Sequence, residues 1–297
     1  MHTKLCISLA AALCLSLTAA GCSKDRKGND DSRSIDSAEA SLMIQEALDS
    51  QKKAESQSRE MDIRSQTIRS LQAETEADVS GFDQGHLRAL FYSEPIGIEM
   101  AQRIEGDMLD TQAGYITPEQ LRLVRVLYSD FEGRTKVGEL ICNELISEDL
   151  ENVFYELYMN AYPIDRIVLP YGYGMDDESV TADDITRCLA TVWDENGQAF
   201  ANEHSLGLAV DFNSLYNPQV ITEGGQDLCL PEAGRPYADR TTGNPHYISE
   251  DDLAYQIFTK YGFNWGGVWQ GRNDYQHFEK FFNHDTQTVD TSVYAGS

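Results

Sequence analysis

Two stretches in the second half of the chain carry residue types and spacings suited to binding a metal ion and using it. The first is Asn202-Glu203-His204-Ser205-Leu206-Gly207-Leu208-Ala209-Val210-Asp211-Phe212-Asn213. The second runs from Trp265 to Glu279 and ends Asp274-Tyr275-Gln276-His277-Phe278-Glu279. Asp211 is set between Val210 and Phe212, and a carboxylate buried among such neighbours needs a partner or a cation. Two histidines and one carboxylate, here His204, His277 and Asp211, are the usual three protein ligands of a catalytic zinc, with a fourth position left open. Asp274, three residues before His277, can stand beside such a metal without ligating it and act as general base. The residues alone also permit a plainer reading, in which His204 is a hydrogen-bonded core histidine and Asp211 caps a turn with Asn213. His246, in Asn244-Pro245-His246, is a further candidate ligand.

The elements that must position these residues can be read from periodicity and turn chemistry. Extended runs are predicted at Glu139–Cys142, Arg166–Leu169, Ile185–Trp193, Leu206–Phe212 and Phe263–Trp269, and Gly207 and Ala209 let backbones approach closely. Thr117-Pro118-Glu119-Gln120 has the form of a helix start and predicts a helical stripe of Leu121, Val124, Leu127 and Tyr128. Ser147-Glu148-Asp149 predicts a second helix carrying Leu150, Val153, Phe154, Leu157 and Tyr158 on one face. A capping box of Ser249 and Asp252 predicts a third, through Leu253, Ile257 and Tyr261. Strands cluster after mostly helical material, which implies an α+β fold with a central antiparallel sheet and helices packed on it.

His204 to Asn213 reads H-x-x-G-x-A-x-D-x-N, and Trp265 to Glu279 reads W-G-G-x-W…D-Y-Q-H-F-E. Both resemble signatures of the zinc D-alanyl-D-alanine carboxypeptidase and dipeptidase family, the VanY-like peptidases, in the family's order. Phe131-Glu132-Gly133, Gly138 to Asn143, Tyr162-Pro163-Ile164, Leu215 to Pro218 and Tyr237 to Arg240 agree, so the resemblance spans roughly residues 88 to 285. It implies an α+β fold, one Zn2+ per chain held by His204, Asp211 and His277, Asp274 as catalytic base, and hydrolysis of peptidoglycan stem peptides. Two positions depart from the family pattern. Asn202 stands where a serine is usual. In the stretch Asp184 to Val192 a valine occupies the place of the substrate-facing arginine, and Arg187 is the nearest substitute. The expected activity is removal of a terminal D-alanine. An endopeptidase using the same site, or a catalytically silent envelope-binding protein, are the alternatives.

Composition and targeting signals set the context. With 23 Lys+Arg against 49 Asp+Glu the net charge is −26, which argues against nucleic-acid binding, since phosphate backbones demand clustered cations. G-x-x-x-x-G-K-[ST], G-x-S-x-G and H-E-x-x-H do not occur. Met1-His2-Thr3-Lys4, an apolar run from Leu5 to Ala20 and Ala19-Ala20-Gly21 before Cys22 read as a signal peptide over residues 1–21. Cys22 is the expected lipidation site, which makes the chain a membrane-anchored lipoprotein of the bacterial envelope facing the cell wall. Residues 22–80, polar and free of aromatics, read as a partly helical tether, and residues 81–297 as the peptidase domain. Cys142, Cys188 and Cys229 could supply one disulfide, with no pairing chosen by the sequence.

Overall fold

Val124, Val126, Val137 and Ile141 favour extended backbone, and they lie in the two longest strands of the molecule, β2 (Leu121–Ser129) and β3 (Thr135–Asn143). The computed structural model describes residues 36–194, 196–224, 226–283 and 288–289. β2 and β3 pair antiparallel from Leu121↔Asn143 to Ser129↔Thr135, and β1 (Tyr92–Pro95) adds to the other side of β2. The helix expected after Thr117 is therefore a strand. The capping box at Thr117 and Gln120 does form, but it closes only the 3-10 turn Pro118–Gln120. The stripe Leu121, Val124, Leu127, Tyr128 is buried because both faces of β2 are covered, which removes the alternation that marks a half-exposed strand.

The outer edge of β3 holds several loops. Its odd-numbered residues bond successively to Ala77, to Glu74 and Thr75, to Ile167 (3.2 Å), to Leu189 (3.0 Å) and to Gly207 (2.9 Å). The runs expected as strands at Arg166–Leu169 and Ile185–Trp193 are thus extended segments laid on this edge, joined to each other by the bridge Arg166↔Ile185, with a two-residue strand only at Val192–Trp193. Gly138 is required for that approach, since a Cβ there would lie 2.8 Å from Ile167 Cβ.

Asn143 ends β3 and caps helix α2 (Glu144–Met159) by accepting the Leu145 N–H, so this helix starts earlier than Ser147. Its Leu150, Val153, Phe154 and Leu157 are buried as expected. Helix α4 (Leu253–Lys260) is capped by Asp252, which accepts the Ala254 N–H. Packed against these helices is the sheet that carries the site: β4 (Ala209–Asp211), β9 (His277–Glu279) and β7 (Asn264–Trp265), in that order. Phe212 packs against Phe154 and Phe258, and Phe258 stacks on Phe278 at 4.2 Å. Each such fully buried ring is worth about 1.5–3 kcal/mol of transfer free energy. A third antiparallel sheet joins β5 (Gln219–Glu223) to β6 (Gln226–Leu230) on one side and β8 (Arg272–Asp274) on the other. The fold is α+β with antiparallel pairing, distributed among the described residues over three three-stranded sheets and two two-stranded ones.

Helix α1 (Ser37–Arg69) covers the middle of the expected tether. Residues 41–55 of it are exposed throughout. The chain divides into two compact units between Glu55 and Ser56, and Ile68 and Ala77 are buried in the second. The signal segment and Cys22 lie outside the described residues. Among those described, no helix is long and apolar enough to cross a membrane. Cys142, Cys188 and Cys229 are free and buried.

Gly207 ties this frame to the site. Its φ is +66°, its carbonyl accepts the Asn143 N–H, and a Cβ would lie 2.8 Å from Asn143 N. Gly207→Ala combines left-handed backbone strain with a clash against β3 and is expected to cost at least about 2 kcal/mol in a denaturant titration. A loss below about 0.5 kcal/mol would show that the loop is not pinned to β3 as described.

Candidate metal centre

A tight turn sets His204. Asn202 Oδ1 accepts the Ser205 N–H at 2.9 Å, Ser205 Oγ accepts the Asn202 N–H at 2.8 Å, and Leu208 N–H closes on Glu203 O at 2.7 Å. Asn202 thus works as the cap of the turn at the position where the family pattern has serine. Asp211 and His277 are brought together by register: they are directly opposite on β4 and β9, so their side chains leave the sheet on one face. Across the other edge of β4, Asp211 and Arg187 exchange backbone hydrogen bonds of 2.9 and 3.1 Å.

Three side-chain atoms then meet. His204 Nε2 lies 3.1 Å from Asp211 Oδ1 and 3.1 Å from His277 Nδ1, and His277 Nδ1 lies 3.4 Å from Asp211 Oδ1. All three residues are buried, and their candidate ligand atoms lie within 4.8 Å of one another. The hydrogen-bond network fixes the tautomers. His204 Nδ1 donates to Cys188 O at 2.8 Å, and His277 Nε2 donates to Glu279 Oε2 at 2.9 Å. With those protons committed, His204 Nε2 and His277 Nδ1 each present a lone pair to the point that Asp211 Oδ1 also faces. Three converging lone pairs in a dry site repel unless a cation sits between them, so the residues present fit a divalent metal of the zinc class. In the metal-free chain the same point draws a proton, which a bound cation would displace from His277. Burial opposes a charged His277, yet the Asp211 and Glu279 carboxylates raise its pKa well above the usual histidine value. Burial likewise opposes charge on Asp211, but His204, His277 and Arg187 hold it well below the carboxylate range.

Asp274 ends β8 opposite Gln219 of β5. Gln219 Nε2 donates to its Oδ2, whereas Oδ1 is buried without a partner among the described residues. Burial pushes its pKa up, and the opposing pull of His277 and His204 does not cancel that shift. Gly266 must be glycine here, because a Cβ would lie 2.9 Å from Asp274 Cβ.

Arg187, the substitute for the family arginine, is 7% exposed and points inward. Its Nη2 donates to Asp211 Oδ2 at 3.2 Å and to Asp177 of helix α3 (Asp177–Ala182), while its Nε is buried without a partner among the described residues. It lines a cavity of about 220 Å³ together with Asp107, Met175, Asp177, Val180 and Trp193. His246 lies elsewhere, stacked on Phe131 at 3.9 Å, and is not among the clustered ligands. Glu279, Gln219 and Asp177 complete the site and were not singled out in the sequence. Glu279 stands two residues after His277 on one strand, the spacing at which side chains share a face.

The comparisons with known proteins bear on this same region. No curated protein and no solved structure matches the chain. Residues 195–280 match the D-alanyl-D-alanine carboxypeptidase family, and the matched stretch contains His204, Asp211, Asp274 and His277 but not Arg187. The peptidase resemblance carried by the two signatures is thereby shown: over residues 195–280 the chain is similar to the D-alanyl-D-alanine carboxypeptidase family.

Proposed function

We propose that the protein is a zinc-dependent peptidase that hydrolyses peptidoglycan stem peptides, in its simplest form as a D-alanyl-D-alanine carboxypeptidase. The observation that carries this reading is the convergence of His204 Nε2, Asp211 Oδ1 and His277 Nδ1 beside a buried carboxylate with an unpartnered oxygen. His204, Asp211 and His277 would hold one zinc ion, which when bound polarises a carbonyl and lowers the pKa of water.

The remaining chemistry belongs to the chain. Asp274 Oδ1 accepts a proton from the attacking water and returns it to the departing amine. Gln219 holds Oδ2, so the carboxyl cannot rotate away from that task. The raised pKa of Asp274 makes it a better proton acceptor near neutrality than an ordinary carboxylate. Cys188 O and Glu279 keep the two imidazoles in the tautomers that present lone pairs. Arg187 lines the adjacent cavity and offers a fixed positive charge to the terminal carboxylate of a peptide, in exchange for its contact with the exposed Asp177. Export and lipid anchoring through Cys22 complete the proposal, since they bring the domain to the cell wall.

Two outcomes are expected. Asp274→Asn should retain one zinc per chain and lose about 10²–10⁴-fold in kcat on a defined stem pentapeptide, because the base acts in the transition state. Full zinc with near-normal turnover would remove Asp274 from the mechanism. Replacing His204, Asp211 or His277 by Ala should abolish stoichiometric zinc, whereas Glu279→Gln should retain the site and weaken zinc binding about 10–100-fold in a competitive chelator titration. Unchanged affinity in Glu279→Gln would show that His277 is oriented by something else.

A further inference from the structure

Arg187 lies almost wholly out of solvent, and two carboxylates share its charge. Its Nη2 carries two N–H bonds, one donated to Asp211 Oδ2 at 3.2 Å and one to Asp177. The acceptors differ in exposure: the Asp211 side chain is 7% exposed and that of Asp177 68%, against 8% for Arg187. They differ in restraint as well. Asp211 is also held by His204 and His277, whereas the Asp177 carboxylate has no other hydrogen-bond partner among the described residues. The Arg187 Nε–H, which shares an edge of the guanidinium with one Nη2–H, has no partner at all among them.

Arg187 and Asp177 line the same cavity of about 220 Å³, whose apolar walls include Val180, Ala190 and Val192. The other carboxylate on its lining, Asp107, is committed elsewhere: its Oδ1 accepts the Gly172 and Gly174 N–H groups at 3.1 and 2.9 Å. A carboxylate entering from outside therefore meets a guanidinium whose charge is matched and whose Nη2 is fully used. It gains that donor only when Asp177 lets go. Release costs little in itself, since an exposed carboxylate regains water and an ion pair with an exposed member contributes little. Release without a replacement costs more, because a buried guanidinium is left short of counter-charge. Without a guest Asp177 stays paired, and an anionic guest exchanges with it.

We propose that Asp177 is a specificity-determining residue of this cavity: an exchangeable counter-ion that the free α-carboxylate of a peptide must displace from Arg187. A peptide whose end is amidated offers no replacement charge and leaves Asp177 in place. The chain thereby sets how strongly Arg187 prefers a free acid. If Asp177 occupies the guanidinium for about nine-tenths of the time, the apparent affinity for a free acid is about tenfold below that of the unoccupied arginine. That the guest is the end of the peptide being cleaved rests on the peptidase reading above. The competition of two carboxylates for one guanidinium does not require it.

The test is calorimetric titration of the full chain, in EDTA so that nothing is cleaved, with N-acetyl-D-alanine and N-acetyl-D-alaninamide. Asp177→Asn keeps the side chain's shape at an exposed position and removes its charge. It should bind the free acid about tenfold more tightly than the parent does, and the amide within about twofold of the parent. Glu178→Gln is the control for general charge: it removes a neighbouring carboxylate, its amide oxygen can still accept the Glu232 N–H, and both affinities should stay within about twofold. If Asp177 merely holds Arg187 in position, Asp177→Asn weakens free-acid binding instead, so the sign of the change decides. Unchanged or weaker binding of the free acid in Asp177→Asn, equal gains for acid and amide, the same gain in Glu178→Gln, or no free-acid binding by parent and variant alike would overturn the proposal. A protein that shows the predicted change in selectivity but neither holds zinc nor cleaves peptides would count against the peptidase reading and leave this one standing.

Discussion

The account depends on three lone pairs that meet at one buried point. His204 reaches it from a turn, Asp211 from one strand and His277 from the strand opposite, and none can withdraw, because each is held from behind by Cys188 O, Arg187 or Glu279. In the bare polypeptide a proton on His277 relieves the crowding of these donors, and on the proposed reading a metal ion would take its place, so part of the folding free energy would be expressed as affinity for that metal. The surrounding structure can be understood as what keeps the three from relaxing.

That restraint comes from backbone rather than side-chain bonds. The free edge of the Thr135–Asn143 strand accepts and donates hydrogen bonds to Leu189 and Gly207, which sit just after Cys188 and His204. Arg187 and Asp211 exchange main-chain bonds across the next edge, so one strand indirectly fixes the carbonyl behind His204, the guanidinium behind Asp211 and the turn that carries His204. Two buried aspartates then diverge in character for environmental reasons. Asp211 is surrounded by two imidazoles and a guanidinium and stays ionised, whereas Asp274, with an amide on one oxygen and no partner among the described residues on the other, has its proton affinity raised. On the proposed reading the same fold gives the ligand and base roles to different carboxylates.

Much of the site was legible in the sequence, and the reasons differ residue by residue. His204, Asp211, Asp274 and His277 were found because ligand chemistry restricts residue type and because each signature is local. Arg187 could be named but not oriented, since its inward direction depends on a single bridge to Asp211 that no local pattern encodes. Glu279 was within the quoted motif, yet its role needed the His277 tautomer, which only the hydrogen-bond network supplies. The fold was legible where burial is one-sided, as along Leu150, Val153, Phe154 and Leu157. It was misread at Leu121–Ser129, where a two-sided strand shows an apolar pattern indistinguishable from a helical stripe and follows a genuine capping box. The sharing of one strand edge among four loop segments was beyond sequence reasoning, because it is set by non-local pairing.

X-ray absorption at the zinc edge on the purified full chain tests the central claim most directly, since it counts donor atoms by type. The account predicts one zinc per chain with two imidazole nitrogens at about 2.0–2.1 Å and one carboxylate oxygen at about 2.0–2.2 Å. A sulfur scatterer at about 2.3 Å, or a shell with fewer than two imidazoles, would contradict the assignment of His204, Asp211 and His277 as the metal site.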